Sequence, residues 1–165
     1  YVIYGEWLYG KHTLFYDALP HYFLEFDVLD AETDEFLSTP RRHELLAGLP
    51  ICSVPVLLVG QLKRMDELIS LLGPSHFIRL GHLERLREQC RERGLDPERA
   101  IRETDPSRLM EGLYVKVEEQ GTVAQRYKYI RAAFLQAVFA AQGPWLSRPI
   151  IPNLLQDGVD LFQTS

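Results

Sequence analysis

The residues 110–131, MEGLYVKVEEQGTVAQRYKYIR, set a lone carboxylate, Glu111, ahead of one alternating run and three cations, Arg126, Lys128 and Arg131, in the next. The Gln120-Gly121 pair separates the runs, so together they read as a β-hairpin. Strand side chains alternate, which puts Arg126 and Lys128 on one face with Ala124 and Ile130. Two neighbouring cations repel unless an anion lies between them. The same alternation puts Glu111 on the face of Leu113, Val115 and Val117, where an acid needs a metal or a fixed donor. A carboxylate, a cation pair and a divalent ion are the parts of phosphoryl and nucleotidyl transfer. The cations neutralise charge building on the phosphate and the ion bridges its oxygens. The same residues also suit an ordinary hairpin with one wet face.

Two further stretches carry candidate chemistry. In YVIYGEWLY, Glu6 shares a face with Val2, Tyr4 and Leu8, a half-buried position or the edge of a cleft. It could equally pair with Lys11 or His12 in the loop that follows. In LEFDVLD, Phe26 and Asp27 alternate at the end of a strand. Phe26 suits a core, or a platform on which a base stacks, since every base offers a π-face.

These side chains need a framework, and the pattern supplies one. Residues 1–10 and 21–29 read as strands joined by a segment holding Gly10, Lys11, His12 and Pro20. Thr39-Pro40 signals a helix start, with the hydroxyl as cap, and the helix runs over about 40–47 to Gly48. SVPVLLVG reads as a buried strand whose Pro55 favours its beginning or an edge. From about 61 to 104 the pattern turns helical. Met65, Leu68, Ile69 and Leu72 recur at helical spacing, HLERLREQCRERG puts Leu83 and Leu86 on one side, and DPERAIRE starts with an Asp cap. This block reads as an insertion packed on one side of a sheet. After the hairpin, RAAFLQAVFAA is an apolar helix of about three turns, and the tail GPWLSRPIIPNLLQDGVDLF is extended and Pro-punctuated. Strands and helices in this irregular order give an α+β fold with mainly antiparallel sheets.

Composition narrows the classes. A chain of 165 residues, 46% hydrophobic and 25% charged, is one soluble domain's worth. No apolar run approaches the ~20 residues of a membrane span, and no signal peptide opens the chain, so no membrane is expected. Cys52 and Cys90 lack metal or redox spacing, which suits the cytoplasm. A net charge of −5 argues against a broadly basic nucleic-acid coat, though not against a local basic cleft. The start in mid-pattern, without Met, reads as a missing N-terminal part.

Taken in order, the motifs resemble the covalent nucleotidyltransferase superfamily of RNA ligases, DNA ligases and mRNA capping enzymes. The likeness is greatest to the bacterial and phage ATP-dependent RNA ligases. YGEWLYGKH is similar to their GEW motif, FLEFDVLD to their FDV motif, MEGLYVKVE to their EG motif, and RYKYIR to their last basic motif. RPIIPNLLQDGVDLF is similar to the end of bacterial members, so the resemblance covers almost the whole chain, most loosely across the helical block. It implies a ligase adenylation domain over residues 1–165, with ATP (and its AMP) and Mg²⁺ or Mn²⁺ as cofactors and RNA ends as partners. By the same resemblance Glu6 binds a ribose hydroxyl, Phe26 stacks on adenine and Asp27 supports the site. Glu111 holds the metal, and Arg126 and Lys128 contact the reacting phosphates, Arg126 standing where many ligases have Lys. Lys116 and Arg131 are further candidates without a place. The family's nucleophile is a lysine in a Lys-x-Asp-Gly-type motif, and none of Lys11, Lys63, Lys116 and Lys128 lies in one. The expectation is therefore an RNA ligase whose adenylated lysine lies upstream, so that this stretch alone is inactive. The alternatives are a DNA ligase or capping-type transferase, and a non-catalytic nucleotide- or RNA-binding module that has lost its lysine.

Overall fold

The computed structural model describes residues 1–140 and 149–161, with side chains for all of these but Ala140. The sequence readings for 141–148 and 162 lie outside the described residues. The elements in chain order are β1 (Val2–Trp7), β2 (Phe23–Asp30), β3 (Glu35–Phe36), α1 (Thr39–Leu46), β4 (Cys52–Ser53), α2 (Met65–Ile69), α3 (His82–Glu92), α4 (Pro97–Arg102), β5 (Gly112–Glu119), β6 (Thr122–Ile130) and α5 (Ala132–Ala140). Helices and two mainly antiparallel sheets alternate irregularly, an α+β arrangement.

In the first sheet β2 is central. It pairs antiparallel with β1 along one edge, antiparallel with β3 at Leu29 and Asp30, and parallel with β4 at Leu24 and Glu25. The second sheet is the β5–β6 hairpin, closed by Gln120 and Gly121 at φ 50° and 85°. Two positive φ values in succession match the mirror-image turn that suits the right-handed twist of hairpin strands. The hairpin tip is tied to the first sheet through α1. Ser38 N–H donates to Gly121 O at 3.0 Å, and the Thr39 N–H and hydroxyl both donate to Glu118 Oε1, at 2.8 and 2.6 Å. Glu118 thus accepts from the first turn of α1, and Thr39 is not the cap expected from Thr39-Pro40. The capping position is Ser38, with no side-chain cap, and Pro40 sits in the first turn.

The core has three parts. Val28, Leu37 and Leu46 join α1 to the first sheet. Leu14, Ile78 and Phe134 form a second cluster, and Phe15, Leu86, Cys90, Ala100 and Ile151 a third. In α3 the buried residues are His82, Leu86 and Cys90, spaced by four along one face, while Leu83 is half-buried. Asp96 caps α4 as expected, its Oδ1 accepting from Glu98 and Arg99 N–H groups at 3.0 and 3.1 Å.

The structure differs from two expectations here. The helical block packs on the segment that joins β1 to β2, through Phe15, and on the tail, through Ile151 and Leu154. The third cluster contains no strand residue, so α3 and α4 are not laid on a sheet, whereas Ile78 of the same block packs in the cluster that Ile130 of β6 joins. The run SVPVLLVG is a strand only at its start, since β4 ends at Ser53, and Val56, Leu57, Leu58 and Val59 are exposed. An apolar run four residues long or more reads as a buried strand, but burial needs a partner face, and β2 pairs with this run's start over two residues only.

Candidate active site

The hairpin register sets the first wall of the site. Lys116 lies opposite Arg126 and Tyr114 opposite Lys128, and directly opposed residues share a face. One face therefore carries Tyr114, Lys116, Arg126 and Lys128. Gly112, opposite Ile130, starts β5 where a Cβ would lie 1.9 Å from Tyr129 O, so only glycine lets the arms close there.

The second wall is β2, and a bulge aims it. Tyr4 pairs with Asp27 and Gly5 with Glu25, leaving Phe26 as the extra residue. An extra residue breaks alternation and re-aims side chains, a device frequent beside active sites. Phe26 and Asp27 thus both reach the hairpin, although neighbours in an unbroken strand point apart. The Phe26 ring meets Tyr114 edge-on at 5.6 Å, and the Tyr114 hydroxyl donates to Asp27 Oδ2 at 2.6 Å. Glu25 and Val28 turn the other way, to α1. Glu25, fully buried, takes Arg42 Nη1 at 2.8 Å and the Ser53 hydroxyl at 2.7 Å.

Asp27 is the centre of this wall. It is 1% exposed, with Lys116 Nζ 2.6 Å from Oδ1 and Arg126 Nη1 3.5 Å from Oδ2. Lys116 Nζ also donates to Phe26 O at 2.5 Å. A buried carboxylate without partners is costly, and here two cations and a phenol compensate it. Burial, reinforced by the Asp27 hydrogen bond and charge, pushes the Tyr114 phenol up to about 12. Arg126 lies over the Phe36 ring at 3.9 Å, a cation–π contact that fixes its guanidinium plane.

At the base of the hairpin a second acid stands in a different setting. Glu111 stands one residue before β5 (Gly112–Glu119). The Tyr16 hydroxyl donates to Glu111 Oε1 at 2.7 Å. With Glu6, His12, Tyr16 and Asn153, Glu111 lines a small cleft of about 20 Å³. Burial pushes the Glu111 carboxyl above its ordinary range. The Tyr16 donation opposes that, the charge of Glu6 adds to it, and Lys128 and His12 oppose it. Burial and Glu111 push the Tyr16 phenol well above its usual value.

The expected residues therefore fall in two groups on one hairpin. Phe26, Asp27 and Arg126 meet around Tyr114, and Glu6 meets Glu111 in the cleft, with Glu6 itself exposed at the rim. Lys128 lies between them, opposite Tyr114 in register and close enough to act on Glu111. Its ammonium is exposed and in no ion pair among the described residues. Arg131 is in neither group. It donates to Asp105 at 2.6 Å, Ser107 Oγ at 3.1 Å and Met110 O at 3.1 Å, bracing the segment that leads to Glu111. Tyr16, Tyr114 and Asn153 are contributions that motif reading misses. Only Tyr114 had a signal, its alternation with Lys116 along β5.

Among the described residues no three His, Cys, Asp or Glu gather to hold a metal ion, and no helix is long and apolar enough to cross a membrane. A family model described as RNA ligase matches residues 1–130. No curated protein and no solved structure matches the chain.

Proposed function

This chain belongs to the RNA ligase family, and from that premise we propose that it forms the nucleotidyltransferase domain of an ATP-dependent RNA ligase. The observation that carries the reading is one hairpin face presenting Lys116, Arg126 and Lys128 beside the bulged pair Phe26–Asp27, with Glu111 at its base. Cations aligned over a carboxylate-lined cleft suit a triphosphate, and an aromatic ring at the bulge suits a base.

The reaction has three displacements at phosphorus. A lysine Nζ attacks the α-phosphorus of ATP, a P–N bond forms and pyrophosphate leaves. An RNA 5′-phosphate oxygen then takes the AMP, releasing the lysine and forming a 5′–5′ pyrophosphate linkage. Last, an RNA 3′-hydroxyl attacks that 5′-phosphorus, a phosphodiester forms and AMP leaves. In each step negative charge builds on the phosphate oxygens, and catalysis is positioning plus charge stabilisation. Lys128, exposed and in no ion pair among the described residues, neutralises the α-phosphate. Arg126, held in plane on Phe36, binds phosphate through the guanidinium fork. Phe26 stacks on adenine, Asp27 holds Lys116 and Arg126 in place, and Glu6 accepts from a ribose hydroxyl.

Glu111 would hold the divalent ion. A carboxylate buried beside a like charge, with a single donor on it, fits a cation, and one or two carboxylates suffice for Mg²⁺ or Mn²⁺, which keep water and phosphate oxygens as their other ligands. When bound, such an ion would supply positive charge against the charge that builds on the phosphate. The free cysteines Cys52 and Cys90 suit a cytoplasmic setting.

None of the four lysines lies in a Lys-x-(Asp/Glu)-Gly motif, and the reading takes the nucleophile from sequence outside these residues. The same fact favours a second reading, a nucleotide-binding module without ligase chemistry. Titration calorimetry with ATP and Mg²⁺ tests both. Binding is expected, and Phe26→Leu should weaken it by about 1–3 kcal/mol, the worth of one stacked base. Unchanged affinity in Phe26→Leu sinks the stacking role, and no binding sinks both readings. Covalent transfer of labelled AMP to the longer protein separates ligase from module.

A further inference from the structure

Asn153 lies beyond residue 130, where the family match ends, yet it lines the cleft of Glu6 and Glu111. It is 1% exposed and every polar group it has is used. Its Oδ1 accepts from Tyr16 N–H at 2.9 Å, and its Nδ2 donates to Leu8 O at 2.8 Å and Gly10 O at 3.4 Å. Its main-chain N–H donates to Tyr9 O at 2.7 Å, and its carbonyl accepts from the Tyr22 hydroxyl at 3.2 Å. The next residue continues the pattern, Leu154 N–H donating to Tyr16 O at 2.8 Å.

The side-chain amide thus joins two backbone stretches. One is the end of β1, two residues after Glu6. The other carries Tyr16, whose hydroxyl donates to Glu111 Oε1 at 2.7 Å. Neither stretch has regular structure between residues 11 and 16 that would set its path. An apolar side chain of similar size would leave buried Tyr16 N–H and Leu8 O unpaired, so the position demands an amide.

We propose that Asn153 is a positioning residue for this cleft, holding Tyr16 where its phenol reaches Glu111 and holding the end of β1 where Glu6 faces it. The role in nucleotide transfer rests on the proposed function, while the positioning itself does not. Residues that orient a ligand's carboxylate through a second contact commonly change metal affinity by about 10–100-fold when removed.

The test uses the chain labelled with 3-fluorotyrosine, its Tyr16 resonance assigned by Tyr16→Phe. Glu111→Gln marks the position of that resonance when the carboxylate contact changes. Asn153→Ala is expected to move the Tyr16 resonance, Asn153→Ser to move it less, and both to leave Tyr127 in the hairpin unmoved. In the same proteins Mn²⁺ binding in the presence of ATP should weaken about tenfold for Asn153→Ala. A Tyr16 resonance unmoved in both folded variants overturns the proposal. Failure of both to fold assigns Asn153 to global stability and overturns it too. If the parent binds no ATP, the proposed function falls, and the fluorine result still decides the positioning.

Discussion

Asp27 is buried and Glu111 half-buried, two acids set against the same hairpin, and they are treated in opposite ways. Asp27 receives a lysine, an arginine and a phenol, so its charge is matched within the fold. Glu111 receives one phenol, stands near a second acid and is pushed upward by burial. The cations divide likewise. Lys116 is consumed by Asp27, and Lys128 stays in solvent. Lys116 is matched within the fold, Arg126 stands 3.5 Å from Asp27 with its side chain still 42% exposed, and Lys128 is open to solvent, so the matching of charge falls off along one face of the hairpin.

The strongest way to break this contrast is Asp27→Ala. It strands Lys116 beside Tyr114 without an anion, and removing one partner of a buried pair costs about 3–5 kcal/mol. Urea unfolding should show that loss; a loss under about 1 kcal/mol would mean that the matched group carries no more than a surface ion pair.

Lys128→Ala is expected to do the reverse. Stability should stay within roughly 0.5 kcal/mol of the parent, as for a surface substitution. Under the proposed function, labelled-AMP transfer in a chain that carries the nucleophilic lysine should fall by about 10²–10³, the cost of one lost charge stabiliser at an oxyanion. Activity at the parent rate would remove Lys128 from the phosphate site.

Asp105 sharpens the comparison as a second matched acid. Burial pushes its carboxyl up, but the Ser107 N–H and the Arg131 guanidinium outweigh that and hold it below the ordinary range. A depressed carboxyl adds stability above its unfolded value, near 3.9, and loses it as pH falls through the folded value. Asp105→Asn should therefore cost about 1.5–3 kcal/mol at neutral pH, the worth of hydrogen bonds to a charged group. Parent and variant melting curves should converge on acidification; a gap that persists into acid would show that the charge is not what matters.

The smallest effect belongs to Glu111→Gln. A raised carboxyl opposes folding at neutral pH, so neutralising it while keeping an acceptor for Tyr16 should stabilise the chain by about 1 kcal/mol. Thermal melting at pH 7 checks the sign. A lower melting temperature would place Glu111 among the matched acids.

How much of this could be read from residue order differs by element. The hairpin was legible because alternation and a Gln-Gly turn are local signals, and β6 pairs with β5 over the expected residues. The neighbourhood of Phe26 and Asp27 was not, because a bulge inserts one residue and cancels the alternation that separated them. Residues 11–20 read as a mere connection, yet Leu14, Phe15, Ala18 and Leu19 are core. Phe15 packs on α3, α4 and the tail, and Leu14 on Ile78 and Phe134, and such non-local burial leaves no period. The candidate residues themselves came from motifs, whose order carries more information than any spacing within them.

The hairpin is anchored at both ends. At its tip Glu118 and Gly121 are tied to Thr39 and Ser38, and at its base Arg131 is tied to Asp105. A beam fixed at both supports does not rock; it can only bow at mid-span, and there Asp27 grips Lys116 and Arg126. Under the proposed function, opening and closing around a triphosphate would therefore not come from swinging this strand pair. The adjustable part is the reach of one four-carbon arm, Lys128, and under the proposed function differences in phosphate geometry along the three displacements would be absorbed by that side chain and not by the backbone.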